Sequence, residues 1–160
     1  MKELYIDFDG VILNTIPLLY HAAESAGKSK SDGEFYSQYD FKQILKDEYI
    51  INNSIECINK IIASGKFNVS ILTHVNSLNE GVDKVNYIRR FFKDITVIIV
   101  PKQISKTKMV HTEGAILVDD YSGNLREWEQ EKGISIRFNV NKESEGFTVI
   151  DSLDKIIDMF

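Results

Sequence analysis

Five short apolar runs, separated by stretches with helical spacing, constrain the fold of this 160-residue chain more than any other feature. They are Leu4 to Phe8, Val69 to Leu72, Thr96 to Val100, Ile116 to Val118 and Ile134 to Phe138, and several are rich in β-branched residues, as strands are. Leu78, Val82, Val85 and Ile88 recur at helical spacing before the third run. Leu125 and Trp128 do so before the fifth, with Gly133 as the expected C-terminal stop of that helix. Strands that alternate with helices need crossover connections, and crossovers of one hand put helices on both faces of a parallel sheet. The expected fold is α/β, a three-layer Rossmann-like parallel sheet with helices on both faces. Leu153 to Phe160 reads as a short closing helix, and the length allows one ordinary domain.

The interval from Thr15 to Lys66 breaks this rhythm, because it holds helical segments and no strand. The expected organisation is therefore a core formed by residues 1–14 and 67–160, with residues 15–66 as a small helical cap inserted after the first strand. In that interval Thr15 to Ala26 reads as one helix and Ser25 to Ser37 as a polar connection. Ile55, Ile58, Ile61 and Ile62 then form an apolar stripe, with Ser54 as expected N-cap and Gly65 as stop. Phe35, Tyr36, Tyr39, Phe41 and Tyr49 could stack on a planar base, but packing the insert is the favoured reading. Gly27-Lys28-Ser29 has the look of a phosphate-binding loop, yet it follows helical spacing where such a loop should follow a strand, so Gly27 is read as a helix stop.

Chemistry concentrates at the strand ends. Asp7-Phe8-Asp9-Gly10-Val11 closes the first run, and alternation sends Asp7 and Asp9 to the same side with Phe8 opposite. Two carboxylates held that close need a cation or a shared proton. The second run ends in Thr73, a hydroxyl able to donate to a phosphoryl oxygen. Lys102, Lys106 and Lys108 follow the third run, and each could neutralise developing negative charge. The fourth run ends in Asp119-Asp120 with Asn124 beyond, a set that could complete an oxygen-only magnesium site with Asp7 and Asp9.

Net charge of -5 argues against a nucleic-acid polymer as main partner. No run is long enough to cross a bilayer and the start Met1-Lys2-Glu3-Leu4 is not a secretory apolar stretch, so the expected setting is the cytoplasm, without a membrane partner. Cys57 is the only cysteine, which excludes a disulfide framework or a cysteine-based metal cluster within one chain.

From Leu4 to Asn124 the chain resembles the haloacid dehalogenase-like superfamily of phosphohydrolases. The four motifs, in order, are Asp7-Phe8-Asp9-Gly10-Val11, Ile71-Leu72-Thr73, a lysine, and Val118-Asp119-Asp120-Tyr121-Ser122-Gly123-Asn124. The resemblance implies a magnesium-dependent phosphomonoesterase with a small phosphorylated substrate, in which Asp7 is the nucleophile that forms an aspartyl phosphate and Asp9 the general acid and base. It further implies that Mg2+ is held by Asp7, the backbone carbonyl of Asp9 and Asp120. Asp119 and Asn124 then hold water or orient ligands. Thr73 and the motif lysine clamp the phosphoryl oxygens, and Gly10 lets the chain turn beneath the substrate. Lys108, nearest the fourth motif, is the first choice for that lysine and Lys106 the alternative. His74, directly after Thr73, is a further candidate for phosphate contact.

Within the superfamily the chain is loosely similar to the 5'(3')-deoxyribonucleotidase-like group, which makes a (deoxy)nucleoside monophosphate one expected substrate. Thr73-His74-Val75-Asn76 lacks that group's proline, however, and Tyr121 stands where a basic residue is usual. A sugar phosphate or another small phosphomonoester is the enzymatic alternative. A phosphoacceptor or binding module is the non-hydrolytic one.

Overall fold

Every expected strand forms in the computed structural model, which describes residues 1–160: β1 (Lys2–Ile6), β2 (Phe67–Val75), β3 (Thr96–Pro101), β4 (Ile116–Asp119) and β5 (Ile134–Phe138). A sixth, β6 (Thr148–Ile150), joins beyond β5. All neighbours are parallel in the order β3-β2-β1-β4-β5-β6. Leu4 lies opposite both Val69 and Ile116, and Ile6 opposite Ile71 and Val118. β6 was not legible because three residues carry too little pattern to separate a strand from a turn.

Alternation along β1 buries Leu4 and Ile6 on one face of the sheet and Tyr5 on the other. Both faces are covered, which is why the strands read as continuous apolar runs. The helices are α1 (Ile16–Ser25), α2 (Gly33–Gln38), α3 (Ser54–Ala63), α4 (Leu78–Arg89) and α5 (Ser122–Gln130). α3 carries Cys57, Ile58 and Ile61 into the same core as β1, and α5 seals the other face with Leu125 and Trp128. The chain closes in a 3-10 turn, Leu153–Asp158.

Four local expectations change. Ser54 does not cap α3: its hydroxyl donates to the Ile12 carbonyl (2.9 Å), and left-handed Asn53 stands at the cap instead. α5 is ended by Lys132 in the left-handed region (φ 62°), while Gly133 is needed for space, since a Cβ there would lie 2.3 Å from the Trp128 ring. In α4 the buried face is Glu80, Gly81, Lys84, Tyr87 and Ile88, and Leu78 and Val82 face solvent. Finally, the stretch Ser25 to Ser37, expected as a polar connection, holds most of α2, which starts where the Asp32 carboxylate accepts from the Phe35 N–H (2.9 Å).

The remaining insert packs sideways on α4. Asn79 Nδ2 donates to the carbonyls of Tyr36 (2.9 Å) and Tyr39 (3.0 Å), and the Tyr87 hydroxyl donates to Asp47 (3.0 Å). Phe35, Tyr36, Tyr39 and Phe41 pack on one another with ring centroids 5.1–6.4 Å apart. They fill the insert and do not present a stacking surface.

Candidate active site

In the order β3-β2-β1-β4, successive connections leave β1 in one direction and β4 in the other, and a crevice opens at the carboxyl ends between them. Asp7 leaves the end of β1, and Asp119 closes β4 beside it. Carboxylate oxygens of Asp7, Asp119 and Asp120 lie within 4.8 Å of one another. Gly10 makes this possible: its φ of 79° suits glycine, and a Cβ would sit 2.0 Å from an Asp120 oxygen.

Lys106 is the lysine that enters the site. Its Nζ is buried and donates to Asp7 Oδ1 (2.8 Å) and Asp119 Oδ2 (2.7 Å). Lys108 is exposed, contrary to the first choice made from sequence. The two lysines bound one 3-10 turn, Lys106–Lys108, in which Ser105 accepts from the Thr107 N–H, and this turn directs Lys106 inward. Proximity along the chain to the fourth motif was the wrong criterion, because the direction in which a side chain leaves the turn decides.

Asp119 and Asp120 are distinguished by their donors. Asp119 is fully buried and accepts from Lys106, from Asn124 Nδ2 (3.0 Å) and from the Tyr121 N–H (2.9 Å). Asp120 lines the cleft, and its backbone carbonyl is held by buried Arg137 (2.9 Å). Burial pushes the Asp7 carboxyl well above its ordinary range, and Asp119 adds to that while Lys106 offsets part of it. Burial and then Asp119 raise Asp120 to about 7. Burial opposes the charge on Lys106, but Asp119 and Asp7 more than compensate and hold its pKa above the ordinary lysine value. Two carboxylates thus share one ammonium, with a third alongside. An all-oxygen set short of positive charge suits a hard divalent cation, with Asp7 and Asp120 free to ligate and Asp119 tied up by N–H donors.

Asp9 belongs to a second cluster that sequence reasoning missed. Its Oδ1 accepts from the Thr15 hydroxyl (2.5 Å) and its Oδ2 from Lys84 Nζ (2.6 Å). Lys84 is buried and also bonds Glu80 (2.6 Å), Thr73 Oγ1 (3.0 Å) and the His74 carbonyl (3.0 Å). Burial works against the Lys84 charge, but Asp9 and Glu80 hold its pKa up. The available signal was a lysine on the same helical face as Gly81 and Ile88, with Glu80 one turn earlier, since a buried lysine requires a partner.

Thr73 is fully buried and lies beneath the cleft, with its hydroxyl against Lys84. His74 does line the cleft. Its Nε2 donates to the Ile104 carbonyl (2.8 Å), and burial lowers its pKa, so the ring is a neutral anchor for the segment leading to Lys106. The cleft measures about 560 Å³, with Ile16, Leu19, Tyr20, Ile104 and Tyr121 on its walls above Asp7, Asp9 and Asp120. No helix is long and apolar enough to cross a membrane.

No family model and no curated protein matches this chain. Solved structures do. A HAD-superfamily hydrolase of subfamily IA, variant 1, from Geobacter sulfurreducens is 13% identical, with a TM-score of 0.66 over 100% of both chains. The D,D-heptose 1,7-bisphosphate phosphatase of B. bronchiseptica, complexed with magnesium and phosphate, is 17% identical, with a TM-score of 0.56 over 99% of this chain and 97% of that one. A HAD hydrolase of family IA, variant 3, from Entamoeba histolytica is 13% identical, with a TM-score of 0.58 over 97% and 95%. The chain therefore has the fold of the haloacid dehalogenase-like hydrolases, an α/β parallel sheet with a small helical insertion after the first strand.

Proposed function

We propose that this protein is a phosphomonoester hydrolase that requires a divalent cation, Mg2+, and works through Asp7. The observation that carries the reading is the cluster of Asp7, Asp119 and Asp120, in which a single buried Lys106 bridges Asp7 and Asp119 and leaves Asp120 without a cation. Asp7, Asp120 and the Asp9 carbonyl would hold the cation. When bound, it would offset carboxylate repulsion and polarise a phosphoryl oxygen.

Asp7 attacks phosphorus, a bond forms from its carboxylate oxygen, and the ester P–O bond breaks with its electron pair on the leaving oxygen. Asp9 donates the proton that oxygen needs, then as carboxylate takes a proton from the water that attacks the aspartyl phosphate. Inorganic phosphate leaves and Asp7 is restored. Thr15 and Lys84 keep Asp9 aimed at this path. Lys106 aligns Asp7 and balances negative charge on the phosphoryl group, and Thr73, which accepts from Lys84, would donate to that group by turning its O–H away from the His74 carbonyl (3.3 Å). Asn124 keeps Asp119 oriented behind Lys106.

Ile16, Leu19, Tyr20 and Tyr121 offer apolar and aromatic surface where a leaving group would sit, which favours a (deoxy)nucleoside monophosphate over a sugar phosphate. A phosphatase panel with Mg2+ tests both levels. Wild type should release phosphate and Asp7→Asn should lose at least about a thousandfold in kcat. Turnover that survives Asp7→Asn overturns the nucleophile, and a preference for sugar phosphates overturns the substrate assignment alone. A long-lived phosphoprotein formed from acetyl phosphate, without turnover of any ester, would favour the phosphoacceptor reading.

A further inference from the structure

The sheet has two unequal edges. β6 is only three residues long, a common way to blunt an edge. β3 runs Thr96-Val97-Ile98-Ile99-Val100-Pro101, with no charged residue and nothing paired on its outer side. Free edges ordinarily carry a charge, a bulge or a cover, and this one has none before Pro101.

Its outward groups can be assigned. Val75 lies opposite Pro101 and accepts from the Lys102 N–H (3.1 Å), so the even-numbered residues of β3 turn their backbone groups to β2. Val97, Ile99 and Pro101 turn theirs outward. The Ile95 carbonyl is already taken by Arg89 (2.8 Å), so the open edge begins at Val97. Arg89 shares one side of α4 with Leu78 and Val82, which are 80% and 52% exposed, while Gly81 seats the helix on Ile99. An unpartnered apolar stripe therefore overlooks an uncharged, unpaired edge.

We propose that this edge is a homodimer interface, in which β3 pairs antiparallel with β3 of a second copy about a two-fold axis at Ile98. In this register Val97 and Ile99 exchange N–H and carbonyl bonds with Ile99 and Val97 of the second copy, using the groups that point outward. Carried past the strand ends, it brings exposed Asp94, in the bend before β3, towards Lys102 of the second copy, in the turn after Pro101, and Lys102 towards its Asp94. A shift by one pair in one direction sets Asp94 against Val100. In the other it sets Asp94 against Ile104 and pairs Val97 with Pro101, which has no N–H. Opposite charges bracketing the same strand on one chain favour a second copy over an unrelated partner. Lys102 and Ile104 line the cleft, so the dimer would steady its rim.

Sedimentation velocity over micromolar concentrations at low salt tests the interface. Wild type should dimerise, and Asp94→Lys and Lys102→Asp should each weaken the dimer about tenfold by setting like charges opposite. The double variant Asp94→Lys/Lys102→Asp should recover wild-type affinity. Val97→Pro should abolish the dimer, because it deletes an outward N–H that β2 does not use. A wild type that stays monomeric overturns the proposal, as does a dimer indifferent to Val97→Pro or a double variant that does not recover. The charge variants alter exposed side chains only, so the test survives a Val97→Pro chain that fails to fold.

Discussion

Two buried lysines serve the two carboxylate clusters beside the cleft, and they solve different problems. Lys106 is shared by Asp7 and Asp119 with Asp120 alongside, a cluster that remains short of positive charge and borders the cleft. Lys84 sits among Asp9, Glu80, Thr73 and the His74 carbonyl, so four acceptors surround one ammonium. The first arrangement leaves an electrostatic deficit that a cation can fill. The second is one carboxylate in excess, but every N–H of its lysine is engaged and it holds Asp9 in place, with Glu80 itself held by the Asn76 N–H (2.8 Å). Both clusters keep an excess of carboxylates, two in the first and one in the second, and the larger excess beside the cleft is where a cation gains most.

The comparison breaks most sharply at Lys106. Lys106→Met strands Asp7 and Asp119 without a cation, and kcat should fall about a thousandfold with a loss of about 3–5 kcal/mol in stability without metal. Saturating Mg2+ should return part of that stability, read as a rise in melting temperature. Lys84→Met should cost similar stability, about 3–5 kcal/mol, but only about ten- to a hundredfold in kcat, and Mg2+ should return none of the stability. Equal Mg2+ rescue of both variants would show that the two clusters are not distinct.

A pH series sharpens the same contrast. Asp120 is raised to about 7 in the fold from an ordinary value of 3.8, so the native state binds the extra proton between those values. Its contribution is fully present below the unfolded value and is lost as pH rises through about 7. Metal-free protein should therefore lose about 1–3 kcal/mol across that window, and Asp120→Asn should flatten the loss. Bound Mg2+ should suppress it too, since the cation replaces the proton. Denaturant midpoints at each pH provide the measurement. The smallest effect belongs to Lys108→Ala, which should leave kcat and KM within about twofold, because an exposed lysine outside the cluster has nothing there to lose.

Much of this organisation is legible in the chain because it is local. A strand that ends in Asp7-Phe8-Asp9-Gly10 must project both aspartates from one sheet end, and the second and fourth runs place Thr73 and Asp119-Asp120 at equivalent ends. What misleads is orientation within an element. Helical spacing in α4 was satisfied by Leu78, Val82, Val85 and Ile88, yet the helix turns Glu80, Lys84 and Tyr87 inward, because Lys84 finds Asp9 and Tyr87 finds Asp47 only once distant segments meet. The packing of the insert is silent for a related reason, since Cys57, Ile58 and Ile61 have the pattern of any amphipathic helix and nothing local says that they face β1.

Periodicity, turn residues and the order of acidic strand ends were enough to specify a parallel α/β sheet and to place Asp7, Asp9 and Asp120 at one crevice, because each depends on a few neighbouring residues. The placement of Lys106 rather than Lys108 against Asp7, the donors that occupy Asp119, and the approach of Lys84 and Thr15 to Asp9 came only with the tertiary structure. Those outcomes depend on which charges become buried together, and that energy exists only between segments far apart in sequence.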